Sequence, residues 1–195
     1  NVVYGNNFGW DDRNLGLLPA GTYLLQVSGP GAEAYAFNVL DFAAATSITQ
    51  GTAVTGSLNP ANSAKIYSFS GTAGTTIYLD STSVTPNDPN NGNTGNWTLY
   101  DSYGVQVTDN SMQNDSGRVT LPSTGTYTLV VHGYIYASSS ATTDFAFTVR
   151  PVSDATTALT LGTAVSGSIA SQGQQKNYTF TLASPTQVWF DSRTN

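Results

Sequence analysis

Residues 51–81 read GTAVTGSLNPANSAKIYSFSGTAGTTIYLDS, and they align without gaps on residues 162–192, GTAVSGSIASQGQQKNYTFTLASPTQVWFDS. The offset between the two segments is 162 − 51 = 111. A second pair of segments has nearly the same spacing, because YAFNV (35–39) resembles FAFTV (145–149), with 145 − 35 = 110. Two independent matches at one spacing predict a repeat of about 110 residues.

The phase of this repeat divides the chain into three parts. Residues 1–40 match the second half of a unit, where LLPAGTYLLQV (17–27) resembles TLPSTGTYTLVV (120–131). Residues 41–151 form one complete unit, and residues 152–195 match a first half. Together the two partial units lack only the counterpart of roughly residues 85–103.

The complete unit has the alternating pattern of half-buried strands. Apolar side chains recur at every second position in short runs, and turn-forming stretches such as GTAG (71–74) separate the runs. About eight short strands at this spacing predict an all-β fold, an antiparallel jelly-roll-like β-sandwich. The residues predicted to form its core are Tyr67, Phe69, Ile77, Leu79, Leu99, Leu121, Tyr127, Leu129, Phe145 and Phe147.

The order of these motifs resembles a known family. Gly-x-x-x-x-Gly-Ser, Tyr-x-Phe, an aromatic strand ending in Asp, GNWTLYDSYG, LPSTGTYTLVV and FAFTV together resemble the bacterial pre-peptidase C-terminal domain. The resemblance covers the whole chain as one full copy and two partial ones. It implies a jelly-roll sandwich, secretion, loops that are often stabilised by Ca²⁺, and in some distant relatives binding to extracellular polymers such as collagen. It implies no catalytic residues.

Composition narrows the possible functions. Only 9% of the 195 residues are charged and the net charge is −6, so the chain offers no basic surface for nucleic acid. Cysteine is absent, which excludes disulfides and thiolate metal sites. No run approaches about 18 apolar residues, so no membrane span is predicted. The chain starts at Asn1 without a signal peptide, and we interpret it as a processed or excised segment of a secreted protein, at the cell surface or outside the cell.

The sequence favours a non-enzymatic protein. Its single histidine, His132, lies in VVHGYIY next to a strand, and no Gly-x-Ser-x-Gly nucleophile motif accompanies it. One histidine without cysteine also argues against a zinc site. Most of the eleven aspartates fall in turn segments, where a carboxylate accepts hydrogen bonds from backbone N–H groups.

Calcium is the candidate cofactor, because Ca²⁺ prefers carboxylate and amide oxygens in loops. The segment from Asp88 to Asn93 has alternating oxygen side chains, although it lacks the sixth-position glycine and the distant glutamate of an EF-hand. The same residues also serve as turn or surface residues, and this second interpretation stays open. The candidate ligands are Asp80, Asp88, Asn90, Asp109 and Asp115.

Aromatic residues provide the candidate ligand-binding site. Flat exposed rings stack on sugar faces, and Tyr134 and Tyr136 in HGYIYASSS are the best-placed pair. A structural role is the alternative, since tyrosine is common on β-sheet surfaces.

The sequence is compatible with two alternative functions. The first is a structural or adhesive repeat segment of an extracellular bacterial surface protein or filament, whose partners are copies of itself or adjacent repeats. The second is a carbohydrate- or collagen-binding accessory module of a secreted enzyme. Under the first, residues 155–195 of one chain are expected to complete residues 1–40 of another, head to tail. The alternative is that both partial units belong to one longer, continuous repeat protein.

Overall fold

A computed structural model describes residues 12–32, 34–86, 95–134 and 141–193. Eleven strands lie in these ranges, preceded by a short 3-10 turn at Phe42–Ala44. The strands are β1 (Thr46–Ser47), β2 (Ala53–Leu58), β3 (Ala64–Gly71), β4 (Thr76–Pro86), β5 (Asn96–Tyr100), β6 (Gln106–Ser111), β7 (Gly117–Thr120), β8 (Gly125–His132), β9 (Thr143–Val152), β10 (Ala155–Ala158) and β11 (Lys176–Thr179).

Strands β1 to β9 form a sandwich of two sheets, with the order β1-β3-β8-β5-β6 in one and β2-β9-β4-β7 in the other. We call the first the five-stranded sheet and the second the four-stranded sheet. The antiparallel pairs β2–β9, β3–β8, β4–β7 and β5–β6 are all present, as in a long hairpin that has been rolled up. This is the strand order of a jelly roll, so the predicted all-β sandwich is confirmed.

One strand pair departs from the antiparallel pattern of the sandwich. The two-residue strand β1 runs parallel to β3 along the sheet edge. Strand β9 ends at Val152, which pairs with Thr76. Residues 41–152 are called the complete unit from here on.

All ten predicted core residues are buried between the sheets, none more than 7% exposed. They lie inside because period-two alternation on a pleated strand sends every second side chain to the same face. The predicted GTAG turn links β3 to β4, and Gly74 adopts φ +79, a left-handed conformation that glycine reaches without steric cost. The core also contains Trp97, Met112 and Val149, which were not among the predicted residues.

The segments on either side of the complete unit contain far less strand pairing than the unit itself. Residues 12–32 and 34–40, the N-terminal half, form no strand pairs within the described ranges, although 21–27 and 35–39 have strand-like sequences. Residues 155–193, the C-terminal half, contain only β10 and β11, which pair in parallel. A strand is stabilised by hydrogen bonds to a neighbouring strand. Within the described residues, β10–β11 is the one strand pair that the two halves contain. Within those residues, no helix is long and apolar enough to cross a membrane.

Candidate functional site

The C-terminal half reproduces the start of the complete unit in its local geometry. Thr157 pairs with Tyr178 between β10 and β11, as Thr46 pairs with Tyr67 between β1 and β3, and both members are displaced by the offset of the sequence repeat. The Leu159 N–H donates to the Thr179 carbonyl at 2.7 Å, as the Ile48 N–H donates to the Ser68 carbonyl at 2.8 Å. The sequence match therefore extends to strand register.

The N-terminal half reproduces the end of the complete unit in the same way. The Tyr127 hydroxyl donates to the Ser123 carbonyl four residues upstream at 2.7 Å, a contact known as a tyrosine corner. The Tyr23 hydroxyl makes the same contact with the Pro19 carbonyl at 2.6 Å. The stacked rings of Tyr35 and Phe37 are 6.2 Å apart, and those of Phe145 and Phe147 are 6.1 Å apart.

The halves differ from the complete unit in burial. Phe69 is 3% exposed, whereas Phe180, its counterpart in the C-terminal half, is 46% exposed. Tyr127 is fully buried, whereas Tyr23 is 48% exposed. The half-unit residues at core positions that are exposed in this way are Tyr23, Leu25, Phe37, Val39, Tyr178, Phe180, Val188 and Phe190. Clusters of exposed aromatic and aliphatic residues on this scale mark interaction surfaces.

The C-terminal half is docked on the outer face of the four-stranded sheet. The Arg118 guanidinium makes a bidentate contact with Asp154, at 3.0 and 2.5 Å, and also donates to the Gly173 carbonyl. The Gln175 N–H donates to Oδ1 of Asp154 at 2.8 Å, the same oxygen that accepts from Nη1 of Arg118. Gly173 has φ +79, and a side-chain carbon there would meet the Tyr78 ring, 2.9 Å from its Cγ. Only glycine fits this contact.

Asp115 is the second anchor of this junction. Its carboxylate accepts hydrogen bonds from the Tyr78 hydroxyl at 2.8 Å, from the Ser81 N–H at 2.8 Å and from the Gln172 side chain at 3.0 Å. The contact with Asp115 raises the pKa of the Tyr78 hydroxyl, because the carboxylate stabilises the protonated donor. Asp115 therefore ties β4 to the turn at residues 171–175.

The ion pair at this junction gives it a defined pH dependence. Hydrogen bonds from Arg118 and then from the Gln175 N–H lower the pKa of Asp154 below its ordinary value of 3.8. A lowered carboxyl pKa stabilises the docked turn above pH 3.8, and this stabilisation is lost as the pH falls through the lowered value.

Acidification is therefore expected to release the 171–175 turn only below pH 3.8, with the sandwich still folded. An NMR titration should show the Gln175 amide and the Asp154 carboxyl carbon moving together, with one midpoint below 3.8. Asp154→Asn should remove the transition, while Asp109→Asn, at an exposed position on β6, should leave it intact. A midpoint above 3.8 would contradict this assignment.

The N-terminal half lies against the outer face of the other, five-stranded sheet. Asn14 donates to the Gly104 carbonyl at 3.2 Å, and the Asp12 carboxylate lies 3.5 Å from His132. A cleft of about 850 Å³ separates residues 12–18 and 38–42 from the side chains of β3, β5 and β8.

His132 lies near two polar side chains. Its Nδ1 lies 3.5 Å from the Asp12 carboxylate, and its Nε2 lies 3.5 Å from the Thr98 hydroxyl. These separations exceed the 2.6–3.2 Å expected of a working base and nucleophile. Thr98 sits in mid-strand between β6 and β8, so its backbone is committed to the sheet rather than to an oxyanion hole.

The candidate calcium ligands do not converge in the described part of the chain. Asp80 is 6% exposed and accepts hydrogen bonds from the Arg150 guanidinium, 2.7 Å from Nε and 2.5 Å from Nη2. Asp115 belongs to the junction, and Asp109 lies exposed on β6. Asp88 and Asn90 lie outside the described residues. Across the ranges that the structure describes, no three acidic or histidine side chains form a metal-binding group, and calcium binding stays a prediction.

The proposed aromatic contacts are only partly described. Tyr134 is half-buried and packs against Ala61 and Ala141, and Tyr136 falls outside the described residues. The Tyr134 ring therefore contributes to packing between two loops, and ligand binding by this pair stays a prediction.

Sequence analysis missed the residues that form the C-terminal junction. Arg118, Asp154 and Gly173 are isolated in the sequence and have no counterparts at equal positions in all units. The low number of basic residues was a usable signal. With only six Lys and Arg residues in the chain, each one can be examined for a nearby acidic partner. Arg150, the partner of Asp80, would have been found in the same way.

Comparison with known proteins gives a limited result. No family model matches the chain, and no curated protein matches it. Among solved structures, the chain is similar to PliG from Aeromonas hydrophila, a periplasmic inhibitor of g-type lysozyme, with 13% identity, a TM-score of 0.41 and coverage of 54% of this chain and 96% of that one.

Two further solved structures have comparable similarity. One is the pre-peptidase C-terminal domain of a Bacillus anthracis collagenase, with 22% identity, a TM-score of 0.38 and coverage of 54% of this chain and 94% of that one. The other is Salmonella Typhimurium PliG, with 18% identity, a TM-score of 0.36 and coverage of 54% and 98%. Similarities at this level assign neither a family nor an activity to this chain.

Proposed function

We propose that the chain is a non-enzymatic structural or adhesive segment of a tandem-repeat protein that bacteria place outside the cell. The observation that carries the proposal is the agreement in register between β10–β11 and β1–β3, in which both members of each pair are displaced by one repeat. A segment that repeats both sequence and strand register is the start of another unit. Repeated units of one fold, each in contact with the next, are suited to building extended stalks and filaments.

Both junctions support a spacer role. The Arg118–Asp154 pair and the Gly173–Tyr78 contact hold the next unit against the four-stranded sheet. On the other side, Asp12 contacts the five-stranded sheet of the following unit through His132. Asp12 and Asp115 occupy the same position in the repeat, and each reaches toward the unit that follows it. A contact of this kind at each junction limits bending between units.

The polar groups around His132 support the absence of catalysis. The Asp12–His132–Thr98 separations are those of loose polar contacts, and Thr98 is fixed in the middle of a sheet.

A glycan and matrix-protein array probed with the 195-residue chain tests this function against polymer binding. We expect no saturable binding, because the described Tyr134 ring packs between loops instead of presenting a flat face. Saturable binding that is lost in Tyr134→Ala and Tyr136→Ala, but kept in Tyr103→Ala, would replace the spacer with a carbohydrate- or collagen-binding module. Tyr103 is a suitable control because it is 72% exposed on the sandwich, in the β5–β6 turn. The melting temperature of each variant should match that of the parent chain, so that lost binding reports the ring itself.

A further inference from the structure

We infer that the core of the complete unit binds one structural water between its two sheets, held by the indole N–H of Trp97 on β5 and by the Ser81 hydroxyl on β4. The site lies wholly within the complete unit. The inference goes beyond the proposed function and does not depend on it.

Trp97 provides the first partner of the water. It lies in the middle of the five-stranded sheet, opposite Asn110 on β6 and Val131 on β8, and is only 2% exposed. Its Nε1 is buried, and no acceptor lies within hydrogen-bonding distance of it among the residues that the structure describes. Buried polar groups are almost always paired, and an ordered water serves where no protein group is in reach. The Trp97 indole therefore calls for a small acceptor at this place in the core.

A small cavity adjoins the Trp97 ring. Its volume is about 10 Å³, and it is lined by Trp97 and Val131 from the five-stranded sheet and by Ser81 and Phe147 from the four-stranded sheet. Roughly 10–15 Å³ is the smallest space that holds one water molecule. The cavity therefore has the size of a single water and excludes any larger ligand.

Ser81 provides the second partner. Its Oγ donates to the Met112 carbonyl at 2.5 Å, which commits the hydroxyl proton. A hydroxyl oxygen keeps two lone pairs, so this Oγ can still accept a hydrogen bond. The Ser81 N–H is engaged as well, because it donates to the Asp115 carboxylate at 2.8 Å. These two contacts fix Ser81 at the wall of the cavity, where its remaining polar capacity is that of an acceptor.

Strand β4 is irregular beside the cavity. Ser81 pairs with Phe147 and Ser83 pairs with Ala146, so the register of the β4–β9 ladder skips Thr82. A bulge of this kind bends the strand and interrupts the ladder locally. Ser81, Ala146 and Phe147 all line the cavity, which therefore lies where the ladder is interrupted.

Water satisfies the indole better than the aromatic ring beside it. Trp97 and Phe147 meet edge to face, with ring centroids 6.0 Å apart and planes at 78°. An N–H directed at a ring face gains only a weak bond. The water accepts from Nε1 of Trp97 and donates to Oγ of Ser81, and buried waters typically make two to four such bonds. The bridge joins β5 of one sheet to β4 of the other inside a core of aromatic and aliphatic side chains.

Water–protein NOE spectra of the isotopically labelled 195-residue chain test the site. We expect a cross-peak between the Trp97 indole proton and water, with the sign of a molecule that stays bound while the chain tumbles. The indole of Trp189, which is 90% exposed, is the internal reference and should show only exchange with bulk water. Trp97→Phe should remove the cross-peak and so assigns it.

Ser81→Ala removes the second partner, and Ser83→Ala is its control, since Ser83 is exposed on the same strand. We expect the cross-peak to fall at least ~5-fold in Ser81→Ala, because a water left with one partner is no longer held. In Ser83→Ala it should keep its intensity. The amide spectrum of each variant shows whether the sandwich is still folded.

Two results would overturn the inference. The first is a Trp97 indole proton in the parent chain that exchanges slowly, resonates upfield and has no cross-peak with water, which would place it against the Phe147 ring. This result is read without any variant, so it holds even if Ser81→Ala does not fold. The second is a cross-peak of full intensity in a folded Ser81→Ala chain, which would remove the bridge between the sheets. Neither result bears on the spacer function, which the array tests separately.

Discussion

Phe69→Ala should lower the free energy of unfolding of the complete unit by about 3–5 kcal/mol, the range expected for emptying a buried aromatic site. The Phe69 ring is 3% exposed and stacks on Tyr127 at 5.6 Å, so its removal leaves a cavity and an unsupported ring. Denaturant unfolding, followed by tryptophan fluorescence, measures the change.

Phe180→Ala is the matched control, because it alters the same residue type at the same position of the repeat. Phe180 is 46% exposed in the single chain, so its loss should change the free energy of unfolding by less than about 0.5 kcal/mol. A loss under about 1 kcal/mol from Phe69→Ala would mean that the faces of β3 are assigned the wrong way round. An equal loss from both variants would mean that Phe180 is buried in the single chain.

Arg150→Met should lower the free energy of unfolding by about 2–3 kcal/mol at neutral pH, by leaving a carboxylate without a cation between β4 and β9. Asp80 is 6% exposed, and its carboxylate is held by the Nε and Nη2 of Arg150 at 2.7 and 2.5 Å. The expected loss is below the ~3–5 kcal/mol typical of a fully buried pair because the Arg150 side chain is 38% exposed.

A double-mutant cycle separates the interaction from the isolated charge. Asp80→Leu combined with Arg150→Met should recover most of the loss, since no unpaired charge remains. Arg193→Met breaks a local pair with Asp191, the residue that matches Asp80 in the sequence repeat. This change should cost less than about 0.5 kcal/mol, because the side chains of Arg193 and Asp191 are 71% and 62% exposed. If the double variant is as unstable as Arg150→Met alone, the loss arises from packing rather than from charge.

The sequence was sufficient to predict the class of fold and the core. Tyr67 and Phe69 alternate with small polar residues, and period-two alternation alone places them inside. The internal repeat also predicts a half unit on each side of the complete one, and this division of the chain stays a prediction. The parallel edge strand β1 could not be predicted, because its two residues, Thr46 and Ser47, are held by their neighbour β3 and by no pattern of their own.

The ion pairs of the sandwich could not be predicted from the sequence, for a physical reason. Arg118 and Asp154 are far apart in the sequence, and they meet because β7 and the end of β9 flank β4 in one sheet. Asp80 was predicted as a calcium ligand from its place at the end of a strand, but its carboxylate is held by the guanidinium of Arg150 from a distant strand. Pairing across a sheet depends on strand order, which a single sequence specifies only through the fold as a whole.

Hydrogen–deuterium exchange of the 195-residue chain tests the central claim most directly, since it reports each segment separately. If residues 155–179 repeat the strand register that begins the complete unit, the amides of residues 155–159, which pair with β11, are protected from exchange. Residues 161–169, which form no strand, should exchange freely in the same sample. Exchange of residues 155–159 as fast as that of residues 161–169 would contradict the account.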